Sequence, residues 1–333
     1  MGNRYGTLAG RLRFNDSSLE CLELLTPPHT FTDHWEDFLD AMKSNTTVTS
    51  VVIMEGFTEE VIGPLWRQFL DSLVVMRSLE QIEFLDTNIP FESLTTILLN
   101  VARIRALSVQ DGLRLGGNRT SLDDIENLSK ALTGHASLEE FVVVQSWEQI
   151  GQPRMYPLDP MVRSLSTIPQ LSLLRLSGGS NSSPSLMSGS ALQSLSQITR
   201  LHTLDLSSMG LTDEHFQILS VAFAHHPSLN TLVLSSNVAG VLGLMALQEM
   251  MEKNYILCYL LTDVHDNSIR AALDLFLLLN RHGREKLLLT KPTPVQTDPL
   301  LRREWLFFVV ERFHDNPSAI FWLLREQPDI WKG

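Results

Sequence analysis

A six-residue apolar pattern, L-x-x-L-x-L with Val, Ile, Phe or Tyr admitted at the apolar positions, recurs nine times along the chain. It reads Leu19-Leu22-Leu24, Val48-Val51-Ile53, Leu79-Ile82-Phe84, Ile104-Leu107-Val109 and Leu138-Phe141-Val143, then Leu171-Leu174-Leu176, Leu201-Leu204-Leu206, Leu229-Leu232-Leu234 and Ile256-Tyr259-Leu261. The steps between copies run from 25 to 34 residues. The second half of each copy alternates apolar with other residues, the period of a short strand buried on one face. Between copies the period becomes helical: Trp35, Phe38, Leu39 and Met42 fall at i, i+3, i+4 and i+7, as do Leu94, Ile97, Leu98 and Val101. A strand, a turn and a helix in so few residues cannot bury their own apolar face. Stacked copies bury a continuous core between a parallel sheet and a layer of helices. The expected fold is therefore an α/β repeat solenoid, a horseshoe with parallel strands on the concave side and helices on the convex side.

Local signals place the helix starts and the ends of the array. Ser121-x-x-Asp124 resembles a capping box, Asp159-Pro160 reads as an N-cap followed by N1, and Thr212 precedes the acidic turn Asp213-Glu214. Residues 1–18 form an N-terminal cap, with 7–14 expected as a strand carrying Leu8, Leu12 and Phe14. The repeats fill 19–290. Residues 291–333 hold a proline-rich linker and a helical cap, whose last helix opens with Asn316 and Pro317 and whose Trp305, Phe308, Val309, Phe321, Trp322 and Leu324 seal the core.

The motif and its period resemble leucine-rich repeats of the ribonuclease-inhibitor type, most closely at 201–211 and at 229–237, where Asn237 occupies the position that family gives to Asn or Cys. The other copies place Pro27, Gly56, Thr87, Gly112, Ser146, Gly179, Met209 and Val264 there. An amide ladder joining the turns is thus mostly missing, and irregular turns follow. The segments 275–284 and 305–331 resemble the C-terminal part of uncharacterised repeat proteins of diatoms and other algae.

Composition narrows the function. Apolar residues make up 44% and charged residues 19% of 333, enough for a packed core. The formal charge is -12, with 38 acids against 26 bases, which argues against a nucleic-acid backbone binder. Apolar runs such as 275–279 and 305–310 fall far short of the roughly 20 residues of a membrane helix. The first residues carry no secretory h-region, so an intracellular, cytoplasmic place is expected and the five N-x-[ST] triplets at Asn15, Asn45, Asn118, Asn127 and Asn181 are read as chance. Cys21 and Cys258 are too far apart for a thiol metal cluster. The sequence lacks G-x-S-x-G, H-E-x-x-H, G-x-x-x-x-G-K-[ST] and C-x-x-C. The neighbours Asp213-Glu214-His215 and His265-Asp266 read as helix starts or solvated turns, and His225-His226 as a helix end. No catalytic residue, metal or cofactor is expected.

The surface carries more information. Motif positions 3, 5 and 7 point away from the core, and few of them are charged. Leu25, Val52, Met54, Leu85, Val142, Val144 and Leu173, with Arg175, are candidate partner-binding residues, since soluble monomers seldom leave long apolar patches idle. Long loops after the strands at 110–121, 145–160 and 177–190 should cluster on one rim, and the middle one adds Trp147, Arg154 and Tyr156, types enriched at interaction hot spots. These features point to a non-catalytic scaffold or adaptor for a protein partner. A second reading, through resemblance to the Ran GTPase-activating proteins that share this repeat type, is a regulator of a small GTPase using Arg114, Arg119 or Arg154. A ubiquitin-ligase substrate receptor is a third, although only about 18 residues precede the first repeat, too few for an F-box module.

Overall fold

A computed structural model describes residues 4–24, 34–54, 65–87, 89–110, 113–114, 122–144, 158–178, 185–284, 310–311, 313 and 315–326. The repeats stack as read. Strands β1 (Cys21–Leu24), β2 (Ser50–Ile53), β3 (Gln81–Leu85), β5 (Ala106–Gln110), β7 (Glu140–Val144), β8 (Leu173–Ser177), β9 (Thr203–Asp205), β10 (Thr231–Val233) and β11 (Tyr259–Leu261) form one nine-stranded sheet in that order. Every pairing is parallel. A two-stranded pair of β4 (Ile89–Pro90) and β6 (Leu113–Arg114) ties two successive turns together. Helices α1 (Arg4–Arg13), α2 (Trp35–Ser44), α3 (Leu65–Val75), α4 (Phe91–Asn100) and α5 (Leu122–Leu132) are followed by α6 (Asp159–Leu165), α7 (Gly189–Leu195), α8 (Asp213–Phe223), α9 (Val241–Lys253), α10 (Asn267–Arg281) and α11 (Pro317–Glu326). The chain is an open α/β solenoid of leucine-rich-repeat architecture.

The inward residues of the motif are buried from Leu22 and Leu24 in β1 to Leu232 and Leu234 at β10, and the helices close over them. The helical faces read from the sequence are the buried ones, including Trp35, Phe38, Leu39 and Met42 of α2 and Leu94, Ile97 and Leu98 of α4. Aromatic rings bridge repeats: Trp35 lies 6.2 Å from Phe69 of α3, and Trp66 donates its indole N–H to Ser93 Oγ of α4 at 3.1 Å.

The structure corrects three expectations about the ends. Residues 4–13 form a helix rather than a strand; Leu8 and Leu12 are four apart, a spacing that suits both periods, and Phe14 is left 87% exposed. Arg13 fastens this cap to Asp37 of α2 at 2.9 Å. The ninth motif is shifted by one residue: Leu257 and Leu260 face the core, whereas Tyr259 and Leu261 stand in line with Thr231 and Val233 and face out. Its unbroken apolar run gave no alternation from which to choose. In the C-terminal cap, Trp322 is buried but Phe321 is exposed, and Asn316 Oδ1 accepts from Ala319 N–H at 3.0 Å as the N-cap of α11. The proline-rich linker, Trp305, Phe308 and Val309 lie outside the described residues.

Side chains from one repeat satisfy the backbone of the next. Asn237 Oδ1 accepts from Met209 N–H at 3.0 Å and Leu211 N–H at 2.9 Å, while its Nδ2 donates to the Leu206 and Leu234 carbonyls at 3.0 and 2.8 Å. Thr87, in the same slot of the third repeat, is buried with its hydroxyl unpartnered. A second slot lies three residues before the first apolar residue of a motif. Asn45, His226 and Asn254 each reach back there to a carbonyl of the preceding unit, Leu12 of the N-terminal cap helix and Ile198 and Phe223 of preceding repeats, at 2.9 to 3.1 Å. Asn45 is therefore closed to glycosylation. The helix starts are cross-braced too. Asp159 is the first residue of α6 rather than its N-cap, and its carboxylate receives Ser188 N–H and Oγ at the start of α7. Asp213 of α8 likewise receives Gly240 and Gly243 N–H at α9.

Candidate interaction surface

Because the sheet is parallel and in register, its outward residues form rows across the strands. The middle row runs Glu23, Val52, Glu83, Ser108, Val142, Arg175, Asp205, Val233, Leu261. The row before it runs Cys21, Ser50, Gln81, Ala106, Glu140, Leu173, Thr203, Thr231, Tyr259 along the same pairings.

The six described apolar candidates, Val52, Met54, Leu85, Val142, Val144 and Leu173, are half-buried. They do not join into a continuous stripe. Val52 stands between Glu23 and Glu83, Val142 between Ser108 and Arg175, Val144 between Gln110 and Ser177, and Leu173 between Glu140 and Thr203. The most exposed apolar side chains on the sheet are instead Tyr259 at 52% and Leu261 at 59%, the residues the sequence register turned inward. Leu25, Trp147, Arg154, Tyr156 and Arg119 lie outside the described residues, and Arg114 is placed in β6 by its backbone.

Arg175 is committed to a neighbour. Its Nε lies 2.8 Å from Asp205 Oδ2, and Asp205 Oδ1 also accepts from Ser207 N–H and Oγ at 3.0 and 2.7 Å. Glu83 Oε1 accepts from Gln110 Nε2 at 2.9 Å. At the strand entrances Arg105 joins Glu80 (3.4 Å) and Glu139 (2.9 Å) of the two flanking repeats. Hydrogen bonding to Arg105 holds the Glu139 carboxyl below its ordinary range, and the same bonds raise Arg105. All three side chains are well exposed, so the ladder adds little stability.

Two buried histidines, His226 and His215, have structural roles. His226 donates from Nε2 to the Ile198 carbonyl and accepts Leu229 N–H on Nδ1 at 3.0 Å, an arrangement that requires the neutral ring. Its role at the helix end is therefore that of a neutral connector rather than the cation the helix dipole favours. His215 Nδ1 accepts the Thr212 N–H at 3.2 Å, which makes it part of the cap of α8. Burial lowers the pKa of His215, His226 and His135. His135 sits in the carbonyl-bonding slot of its own repeat near the Val101 carbonyl, yet its ring nitrogens fall short of hydrogen-bonding geometry. Among the described residues no three His, Cys, Asp or Glu side chains gather into a metal-holding set. No described helix is long and apolar enough to cross a membrane.

Sequence reasoning missed one further cluster. Arg284 is almost fully buried, with its guanidinium 4.4 Å from the Trp322 ring, 4.7 Å from Phe276 and 4.7 Å from Tyr255. It donates to the Met251 and Glu252 carbonyls at 2.7 Å each. This arginine closes the end of α9 and pins α11 to the array. An arginine following α10, with a tryptophan on the final helix, was the available signal.

The fold defines an open repeat solenoid with a broad sheet face. No family model and no curated protein matches the sequence. Similar solved structures include a Bacteroides fragilis protein at 15% identity and TM-score 0.40, covering 74% of each chain. An internalin from Listeria monocytogenes is 16% identical with TM-score 0.37; the match covers 70% of this chain and 61% of the internalin. The actin-binding site 2 of leiomodin-1 is 11% identical with TM-score 0.36, over 60% of this chain and 92% of that one. The architecture described above rests on this chain's own strand order and burial.

Proposed function

We propose that this chain is a non-catalytic interaction scaffold or adaptor that holds a protein partner against its sheet. The single observation that carries the reading is a nine-strand face with exposed or half-buried outward side chains at both ends, from Glu23 to Leu261, interrupted by the buried Ser177 and Asp205, and with half-exposed apolar residues spaced among polar ones. Such a surface has area and shape for recognition. The ribonuclease-inhibitor-like repeat type, a cytoplasmic setting and a rim contribution from Trp147, Arg154 and Tyr156 belong to the same proposal. The two free cysteines suit a reducing compartment.

The test is affinity capture from native extract with the wild-type chain and a Val52→Lys/Val142→Lys variant. The partner should be lost with the variant while circular dichroism and thermal unfolding stay unchanged. Capture that survives the substitutions removes the sheet from the interaction. A regulator of a small GTPase would instead speed GTP hydrolysis by a candidate GTPase, and equal rates with and without the chain set that reading aside.

A further inference from the structure

The two ends of the sheet differ in charge, and the difference specifies the partner's chemistry. Glu23, Glu83 and Glu140 stand on the first, third and fifth strands in spatial order, β1, β3 and β7. The outward positions of those five strands carry no Lys or Arg. Between the glutamates lie Val52, Met54, Leu85 and Ala106, and beyond them Val142 and Val144. From β8 onward the only outward charges on described strands, Arg175 and Asp205, neutralise each other.

We propose that the β1-to-β7 half of the sheet docks an extended, cationic segment of a protein partner, with Lys or Arg facing the three glutamates and apolar residues on the valines and leucine between. This rests on the scaffold reading above. Strand spacing sets the pattern. Two inter-strand steps of about 4.8 Å separate Glu23 from Glu83 in the middle row by roughly 10 Å, a span an extended chain covers in about three residues. Glu140 is two strands further on but one row back, two residues along the strand, so it lies roughly 12 Å from Glu83. Cations at every third position therefore match the first pair, and the length of a lysine side chain covers the extra offset to Glu140. An acidic segment meets uncompensated like charge here, which costs affinity and slows encounter.

The experiment uses fluorescein-labelled nine-residue peptides with lysine, or glutamate, at every third position and leucine or serine between, titrated by anisotropy against the full chain at low and physiological salt. A Glu23→Gln/Glu83→Gln/Glu140→Gln chain is compared with a Glu126→Gln/Glu249→Gln/Glu252→Gln chain, which removes the same net charge from exposed helix positions. The lysine peptide should bind at least about tenfold tighter than the glutamate peptide. The sheet variant should lose about tenfold and the helix variant less than about twofold, with the gap narrowing as salt rises. Equal binding of the two peptides, no binding of either, or equal losses in the two triple variants overturns the proposal. The extract capture distinguishes the levels. If capture still depends on Val52 and Val142, only the charge inference falls; if capture ignores the sheet, the scaffold reading falls with it.

Discussion

The first five strands in spatial order and the last four share one core and solve their surfaces differently. In the last four, the repeats at 201–211 and 229–237 pair key polar side chains internally: Asp205 takes Arg175, and Asn237 bonds its own turn and that of the preceding repeat. In the first five, glutamates point outward without cations beside them on the sheet, Thr87 occupies the Asn slot with its hydroxyl unpaired, and His135 occupies the carbonyl-bonding slot without bonding. Core burial therefore does not track polar satisfaction. Stacking needs only the inward triplet, whereas closing the turns needs particular side chains at particular slots.

If the core is continuous, truncation should cost the same in both halves. Leu107→Ala and Leu204→Ala, both fully buried, should each destabilise by about 3 kcal/mol in denaturant unfolding; a loss confined to one half would split the array into separate cores. The turns should then differ. Asn237→Ala strands two N–H groups and two carbonyls and should cost about 2 kcal/mol or more. Thr87→Val removes an unpaired buried hydroxyl and should be neutral or stabilising by up to about 1 kcal/mol.

Acid should act on the histidines of both halves. Burial holds the pKa of His135, His215 and His226 below the ordinary 6.5 of an unfolded histidine. As pH falls, the unfolded chain takes up these protons first, so unfolding gains. Their contribution is complete above about pH 6.5 and is progressively lost as pH drops toward the folded values. His226→Asn should keep the connector, because Asn45 and Asn254 do the same work elsewhere, and should flatten the stability profile below pH 6.5. An unchanged profile in urea titrations from pH 7.5 to 5 would show that His226 is not one of the groups responsible.

The repeat was legible because its period and its inward triplet are set by burial alone. Where burial gave no alternation, as at 256–261, the frame slipped by one residue and hid Tyr259 and Leu261. At the N-terminus, Leu8 and Leu12 fit helix and strand alike, and only packing on α2 decides. The outward positions of Val52, Val142 and Leu173 followed directly from strand geometry, but their exposure did not, because it depends on neighbours across the ladder. The ion pair of Arg175 with Asp205 could be anticipated only once register placed position 5 of one repeat beside position 5 of the next. Connectors such as Asn45, His226 and Asn254 were invisible, since a polar residue in a turn carries no mark of the carbonyl it reaches.

The smallest effect concerns the turn that follows each strand. The eighth motif position adopts a left-handed backbone in four described repeats: Asp86 at φ 52°, Gly178 at 113°, Ser208 at 55° and Ser236 at 58°. A residue with a Cβ is strained there by about 1 kcal/mol, and glycine is not, although it loses more freedom on folding. At Ser208 and Ser236 the backbone N–H groups bond Ser235 O and Asp263 Oδ2, contacts that glycine retains. Ser208→Gly and Ser236→Gly should each stabilise by a few tenths to about 1 kcal/mol. Asp86→Gly tests whether the other half obeys the same rule, because its N–H bonds the Gln110 carbonyl in the same way. A gain at all three positions would show that the turns share one backbone geometry despite their unlike side chains. Destabilisation at Asp86 alone would mean that its carboxylate, rather than its conformation, is what that turn requires.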